Sequence, residues 1–242
     1  MLNANSPIPL YHQLKSYLQD QILQGLLKPG ERIPTERELE KRFKISRTTV
    51  RQAIGDLINE GLLVRVHGKG TFVAQPRIQQ HLGLLTSFTQ DMEAQRRTPA
   101  SRVLQFEMLP ASPQVARALQ LKIGEMVIVL KRVRLADGQP LALETAYLPA
   151  GPFRALLDLD MSQRSLYATL KAHFGVEPWR ALQQIEAVAC PAEEARHLQV
   201  SKGGPILHIY RTTFDQSNHP FEFVESYYRS DRYFFTVEIW SR

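Results

Sequence analysis

The sequence contains a single cysteine, Cys190, and this scarcity excludes several classes of protein. One cysteine permits neither an intrachain disulfide nor a cysteine-rich metal cluster, which suits a protein of the reducing cytoplasm. The N-terminus lacks the charged segment and apolar stretch of a signal peptide. Since no apolar run approaches the length of a membrane span, we expect a cytoplasmic protein without a membrane partner.

Motifs for catalysis and for metal binding are also missing. The seven histidines are scattered and form no HExxH-type pair: His12, His67, His81, His173, His197, His208 and His219. The sequence has no phosphate-binding glycine loop and no nucleophile–base motif. We therefore expect no catalytic residue, no metal and no cofactor, and an enzyme is the less favoured alternative.

Positive charge is concentrated in the first third of the chain. The whole protein has a net charge of +6, and residues 1–75 hold 11 lysines and arginines against 7 acidic residues. The remaining residues are nearly balanced, with 19 basic against 17 acidic side chains. This asymmetry indicates an anionic partner for the N-terminal region.

Apolar spacing predicts three short helices in this basic region. The first begins at Pro9, and the second begins at Thr35, where Thr35 and Glu38 have capping-box spacing. The third follows Ser46 and ends at Gly61. Its apolar face consists of Val50, Ala53, Ile54, Leu57 and Ile58. Two short helices joined by a tight turn predict a helix-turn-helix.

The opposite face of the third helix is polar and basic. Its members near the helix N-terminus are Arg47, Thr48, Thr49, Arg51 and Gln52. These positions meet base edges in helix-turn-helix proteins, where arginine pairs with guanine and glutamine with adenine. The following strands, 63–66 and 71–73, flank the tip His67-Gly68-Lys69-Gly70, from which Lys69 can reach a phosphate or the minor groove. Together these features predict a winged helix-turn-helix over residues 1–75 that binds double-stranded DNA.

Five motifs of this region are Leu10-Tyr11-x-Gln13-Leu14, Leu27-x-Pro29-Gly30-Glu31-Arg32-Ile33-Pro34-Thr35-Glu36-Arg37-x-Leu39, Ser46-Arg47-Thr48-Thr49-Val50-Arg51-Gln52-Ala53, Gly61-Leu62-Leu63 and Gly68-x-Gly70-Thr71-Phe72-Val73. They resemble the motifs of the GntR family of bacterial transcriptional regulators. The resemblance implies that Arg37, Arg47, Thr49, Arg51 and Gly68 contact the operator. Arg47 and Arg51 are then the residues expected at bases or adjacent phosphates.

Polar residues 76–81 include a proline and predict a linker to a second domain, residues 82–242. The predicted elements of that domain are strands 127–135, 141–148, 206–214, 221–228 and 235–239, and helices after Pro113, over 166–174 and after Pro191. One motif occurs twice in this domain. The first copy is Ala116-Arg117-x-Leu119-Gln120-Leu121-x-x-Gly124, followed by Arg132, and the second is Ala195-Arg196-x-Leu198-Gln199-Val200-x-x-Gly203, followed by Arg211. The copies continue into strands carrying Glu144 and Glu225. Two such units predict an antiparallel sheet with approximate twofold symmetry and a site between its halves.

Five stretches of this second region are Leu85-Thr86-Ser87-Phe88-Thr89-x-Asp91-Met92, Arg132-x-Arg134, Leu143-Glu144, Ser165-Leu166-Tyr167 and residues 222–228. They resemble stretches of the effector domain of the HutC subfamily, a chorismate lyase-like (UTRA) α/β domain. The resemblance implies an α+β protein whose effector phosphate is held by Thr86, Ser87, Arg132, Arg134, Ser165 and Tyr167. It also implies that the remainder of a phosphosugar is bound near Phe88, Glu144, Glu222 and Tyr227.

Elementary electrostatics supports part of that implication. Arg132 and Arg134 lie two residues apart on a strand and therefore share a face. They repel each other unless an anion or a carboxylate lies nearby, and the planar arginine group favours phosphate. A solvated strand face, with Glu144 as ion-pair partner, is the alternative interpretation.

We therefore predict a homodimeric repressor that binds an inverted-repeat operator and is released by a phosphorylated amino sugar such as N-acetylglucosamine 6-phosphate. Twofold symmetry of the protein matches twofold symmetry of the operator. Alternatives are a HutC-like regulator of an organic acid, a urocanate-like compound or a phosphonate, an architectural DNA-binding protein and a lyase-like enzyme.

Overall fold

The computed structural model describes residues 2–3, 6–66, 68–75 and 77–240. The chain divides into two compact units, Met1–Pro76 and Arg77–Arg242. The first unit contains α1 (Leu10–Leu23), α2 (Glu36–Phe43), α3 (Arg47–Asn59), β1 (Leu63–Val66) and β2 (Gly70–Val73). β1 and β2 pair antiparallel, which confirms the predicted winged helix-turn-helix. His67, predicted at the wing tip, lies outside the described residues.

Local sequence chemistry sets where α2 and α3 begin and where α2 ends. The predicted capping box at Thr35 and Glu38 is formed, and Ser46 caps α3 by accepting a hydrogen bond from the Thr49 amide at 3.1 Å. Lys44 has a left-handed φ of 53° and ends α2. The apolar stripes then meet in one core: Leu14, Leu18, Leu39, Val50, Ala53, Ile54, Leu57, Leu63 and Val73. This core turns the polar face of α3 toward solvent.

The second unit is an antiparallel sheet flanked by short helices. Its elements are β3 (Ile78–His81), α4 (Phe88–Ala94), β4 (Pro99–Pro110), α5 (Pro113–Leu119), β5 (Met126–Ala136), β6 (Gln139–Pro149), α6 (Ala150–Phe153), a 3₁₀ helix (Arg154–Asp158), α7 (Leu166–Phe174), β7 (Arg180–Ala189), α8 (Ala192–Leu198), β8 (Pro205–Phe214), β9 (Pro220–Arg229) and β10 (Tyr233–Thr236). The six long strands run in the order β4-β5-β6-β9-β8-β7. This mixture of helices and antiparallel sheet confirms the predicted α+β fold.

The predicted internal repeat is visible in the topology. Each half consists of a strand, a helix and a hairpin, β4-α5-β5-β6 and β7-α8-β8-β9, and the halves meet where β6 pairs with β9. Both repeat helices end at a glutamine with positive φ, Gln120 at 56° and Gln199 at 55°. The symmetry breaks in the hairpins, because Arg132 pairs across with Glu144 whereas Arg211 pairs across with Val224.

The prediction that residues 76–81 form a linker is wrong over most of that range. From Ile78 the chain forms β3, which pairs parallel with β10, and the alternate residues Ile78 and Gln80 are buried. Polar composition concealed this strand, since its short length offers only two inward positions. Pro76 lies outside the described residues. The last strand begins at Tyr233 and ends at Thr236, earlier than the predicted 235–239.

Candidate nucleic-acid interface and ligand cavity

The predicted DNA-contacting residues lie on the solvent side of the first unit. Arg37, Arg47, Thr48, Arg51, Gln52, Gly68 and Lys69 are exposed, and Thr49 is half-buried. A groove between the wing and the starts of α2 and α3 brings Arg37, Arg47 and Gly68 together. Gly68 has a φ of 71°, a backbone conformation that glycine adopts without strain.

Glu36 organises the basic side chains of this groove. Its Oε2 lies 3.4 Å from Arg47 Nε, and its Oε1 accepts a hydrogen bond from Arg65 Nη2 at 3.0 Å. Arg65 and Glu36 were absent from the predicted set, although Arg65 occupies a wing strand and is exposed. One carboxylate therefore holds an arginine of α3 and an arginine of the wing in the same groove.

Replacing Arg51 with alanine should weaken binding to the operator by about 1–3 kcal/mol and relax sequence preference at one base pair. Arg51 is exposed at the N-terminal part of α3, next to the buried Val50 that anchors the helix. Fluorescence anisotropy with a duplex selected by the wild-type protein measures the effect. Arg117→Ala removes the same charge from an exposed position of the second unit and is the matched control. Unchanged affinity and preference for Arg51→Ala would exclude base reading by this residue.

A narrow cavity, part of it open to solvent, lies on one face of the sheet in the second unit. Even-numbered residues of β5 point to this face, since Ile128 and Leu130 pack there against Leu166 and Leu170 of α7. The predicted residues that line the cavity are Thr86, Ser87, Phe88, Arg132, Arg134, Glu144, Ser165, Tyr167 and Glu222. The structure thus brings together side chains from the start of α4, from β5, β6 and β9, and from the start of α7.

Arg132 and Arg134 are buried, with 2% and 3% of their surface exposed, so the solvated-face interpretation is wrong. Arg132 Nη2 donates to Glu144 Oε1 at 2.6 Å, which confirms the ion pair of that interpretation. Arg134 Nη1 donates to Ser101 Oγ at 2.7 Å, and the guanidinium carbon lies 4.5 Å from the centre of the Phe88 ring. Arg134 Nη2 also donates to Thr89 Oγ1 at 3.4 Å. The two arginines therefore have unequal partners, since Arg132 has a carboxylate and Arg134 has two hydroxyl groups and a ring.

Hydrogen-bond donors of both guanidinium groups are unused in the described part of the chain. Arg132 Nε and Arg134 Nε are buried and have no hydrogen-bond partner there. Burial, followed by repulsion from Arg132, lowers the pKa of Arg134 to about 10, so this side chain is still charged at neutral pH. Burial opposes ionisation of Glu144, but the charges of Arg132 and Arg134 lower its pKa. A buried positive charge with free donors is chemically suited to an anion.

The other end of the cavity holds a carboxyl group among hydroxyls. Tyr167 Oη donates to Glu222 Oε2 at 2.7 Å, and Thr213 Oγ1 donates to the same oxygen at 3.0 Å. Burial, with the charge of Glu144, raises the pKa of Glu222. Burial also raises the pKa of Asp91, whose Oδ1 accepts from Thr86 Oγ1 at 2.6 Å. This end offers carboxyl oxygens as acceptors and hydroxyl groups as donors.

Tyr227, predicted to contact the ligand, lies on the opposite face of the sheet. Its ring stacks on His208 with 4.2 Å between centroids, and its hydroxyl donates to Glu225 at 3.4 Å. Successive strand residues point to opposite faces, so a strand that places Glu222 in the cavity also places Tyr228 there. The predicted contact of Tyr227 with the ligand is therefore wrong by one residue, because Tyr228 is the tyrosine of β9 that lines the cavity.

Sequence reasoning missed eight residues that line the cavity: Gln80, Asp91, Leu166, Ile209, Arg211, Val224, Ser226 and Tyr228. Alternation counted from Glu222 would have found the three on β9. The sequence also contained evidence for Arg211 as a cavity residue, since Arg211 is the counterpart of Arg132 in the internal repeat. Gln80 and Ile209 had none, because they reach the cavity only through tertiary packing.

Within the described residues, no three or more histidine, cysteine or acidic side chains are grouped so that they could hold a metal ion. In the same part of the chain, no helix has the length and apolar character needed to span a membrane.

Comparisons with known proteins agree with both units. The family described as "Bacterial regulatory proteins, gntR family" matches residues 10–73, and the family described as "UTRA domain" matches residues 94–233. The HTH-type transcriptional repressor NagR of Bacillus subtilis (strain 168) is 41% identical over 236 residues, which make up 97% of this chain and 96% of that protein. The mannosyl-D-glycerate transport/metabolism system repressor MngR of Escherichia coli (strain K12) is 32% identical over 229 residues, 95% of each chain.

The solved structure of PhnF from Mycobacterium smegmatis has the same fold. It superposes with a TM-score of 0.70 at 32% sequence identity, and the match covers 94% of this chain and 99% of that one. A winged helix-turn-helix followed by a sheet domain with a ligand cavity defines a DNA-binding, effector-responsive transcriptional regulator. This chain belongs to the GntR family of bacterial regulatory proteins and carries the UTRA domain of its HutC-type members.

Proposed function

We propose that this regulator is a repressor that leaves its operator when a phosphorylated amino sugar, such as N-acetylglucosamine 6-phosphate, binds in the cavity. The unpartnered Nε donors of Arg132 and Arg134 are the observation on which the proposal depends. A phosphate group would accept from both donors and would compensate the repulsion between the two guanidinium groups. Ser165 lies beside them as the N-cap of α7, with its hydroxyl at the cavity wall.

The polar end of the cavity suits the hydroxyl and amide groups of a sugar. Glu222 and Tyr167 present carboxyl and phenol groups there, while Glu144 and the apolar ring of Phe88 line the cavity beside the two arginines. The resemblance to amino-sugar regulators and the similarity to the repressor NagR support this class of effector. An organic acid or a phosphonate is the second candidate, because the arginine pair suits those anions as well.

Binding rather than catalysis is the proposed role of the buried carboxyl groups. Glu144 is engaged by Arg132, and one oxygen of Glu222 accepts from two hydroxyl groups. We further propose a homodimer that binds an inverted repeat through Arg37, Arg47, Thr48, Thr49, Arg51, Gln52, Gly68 and Lys69. An effector releases DNA only if its affinity differs between the DNA-bound and the free conformations.

A thermal-shift titration tests the effector class. The ligands are N-acetylglucosamine 6-phosphate, glucosamine 6-phosphate, glucose 6-phosphate and the three unphosphorylated sugars. A ligand at 100 times its dissociation constant should stabilise the protein by about 2.7 kcal/mol, which is readily detected. Stabilisation by a phosphosugar, without stabilisation by its unphosphorylated form, is the expected result. Operator release should occur with the same ligand, and the absence of any shift across the six compounds would contradict the proposal.

A further inference from the structure

Arg211 lies across the cavity from Arg132 and Arg134. It projects from β8, whereas they project from β5, and β6 and β9 lie between these strands. Three strand spacings place the two backbones roughly 14 Å apart. Since all three side chains line one cavity, a ligand bound there meets guanidinium groups at two separate ends.

The broken symmetry of the repeat leaves Arg211 without the partner that Arg132 has. Arg132 faces Glu144 on the neighbouring strand, whereas Arg211 faces Val224. Arg211 Nε donates to Gln183 Oε1 at 2.7 Å, and that amide is neutral. Within the described residues, no carboxylate oxygen lies within 4.0 Å of its nitrogens, whereas Glu144 lies 2.6 Å from Arg132.

Arg211 is nevertheless charged. Burial disfavours the charged form, but the nearby Tyr167, Tyr228 and Glu222 raise its pKa above the usual arginine value. Part of the wall beside it is apolar, because Val224 pairs with it across the sheet and Ile209 precedes it on the same face of β8. A strong donor next to two aliphatic side chains suits a small acyl group, with the carbonyl oxygen on the guanidinium and the methyl group on the aliphatic wall.

We infer that Arg211 is a specificity-determining residue that donates to the acyl carbonyl of an N-acylated amino-sugar phosphate. This inference rests on the proposed phosphosugar function and extends it to the second end of the ligand. A free 2-amino sugar would place an ammonium group against Arg211 and is therefore rejected. A 2-hydroxy sugar places neither a carbonyl nor a charge there.

Calorimetric titration of the full-length wild type and Arg211→Met with three ligands tests the inference. For N-acetylglucosamine 6-phosphate, the variant should lose affinity about tenfold to a hundredfold, as expected for a charge-assisted hydrogen bond. For glucosamine 6-phosphate, affinity should rise, because repulsion between like charges is removed. For glucose 6-phosphate, affinity should stay unchanged. A residue that only shapes the cavity would weaken all three ligands together.

Arg211→Lys keeps the charge and is the second variant, which covers a failure of Arg211→Met to fold. It should retain the rejection of glucosamine 6-phosphate and lose part of the affinity for the acylated ligand, since lysine lacks the planar pair of donors. An equal loss for all three ligands, or no change for any, would overturn the role of Arg211 alone. Absence of binding of all three to the wild type would overturn the phosphosugar proposal and this inference with it.

Discussion

Replacing Arg134 with methionine should remove effector binding while leaving the free protein at least as stable as the wild type. Arg134 is buried, its Nε has no partner in the described structure, and its pKa is lowered to about 10. Each observation means that its charge is unfavourable until an anion binds. Methionine fills a similar volume without the charge, and replacing buried charges by apolar side chains is often neutral or stabilising.

The loss of effector affinity should be about 2–5 kcal/mol, the usual cost of removing one partner from a buried charged hydrogen bond. Calorimetry with the phosphosugar gives the affinity, and thermal unfolding without ligand gives the stability. Arg102→Met is the matched control, because Arg102 is exposed on β4 beside the Ser101 that contacts Arg134. Wild-type affinity in Arg134→Met would contradict an anion site at this residue.

Replacing Arg132 with methionine should have the opposite effect on stability, a loss of about 3–5 kcal/mol. Arg132 Nη2 lies 2.6 Å from Glu144 Oε1, and its removal leaves a buried carboxylate without its ion-pair partner. The double variant Arg132→Met with Glu144→Leu removes both charges and should recover most of the loss. Urea unfolding followed by fluorescence measures the second unit, since the protein's two tryptophans, Trp179 and Trp240, belong to it.

The effect of pH provides a second measurement on these variants. The pKa of Glu144 is lowered in the folded wild type, so its contribution to stability is present above the usual carboxyl pKa and is lost as the pH falls through the folded value. In Arg132→Met the buried carboxyl is stabilised by protonation instead. The difference between wild type and variant should therefore be greatest near neutral pH and smaller in acid. A pH-independent difference would show that the ion pair with Glu144 is not its cause.

The opposed outcomes expected for Arg134 and Arg132 separate binding from stability. Arg132 belongs to an ion pair and has one spare donor, whereas Arg134 contacts two hydroxyl groups and a ring but forms no ion pair. The UTRA sheet thus carries a charge that the free protein does not neutralise. Such local conflicts with stability are expected at functional sites.

Much of the first unit follows from local sequence. The capping residues Thr35 and Ser46, and the apolar stripe of α3, fix helix limits and the buried face without reference to distant residues. The repeat around Arg132 and Arg211 likewise predicts two similar halves, because helix ends and hairpin turns depend on short-range signals. Resemblance to families then indicated nine cavity residues, of which strand alternation on its own had singled out only Arg132 and Arg134.

The errors of the sequence predictions have three different physical causes. β3 was interpreted as a linker because its partner, β10, lies at the other end of the second unit. β7 was missed because most of its side chains are exposed and carry no hydrophobic alternation. Tyr227 was assigned to the wrong face because a single-residue difference in strand phase exchanges the two faces.

The sequence by itself determined the class of protein, the helix-turn-helix and the presence of paired arginines on one strand face. Tertiary structure alone decided which charges are matched: Glu144 reaches Arg132, whereas Val224 takes the equivalent place beside Arg211. The physical reason is register. Ion pairing depends on atoms a few ångströms apart on neighbouring strands, and strand register is set by turn geometry and core packing rather than by the residues that pair.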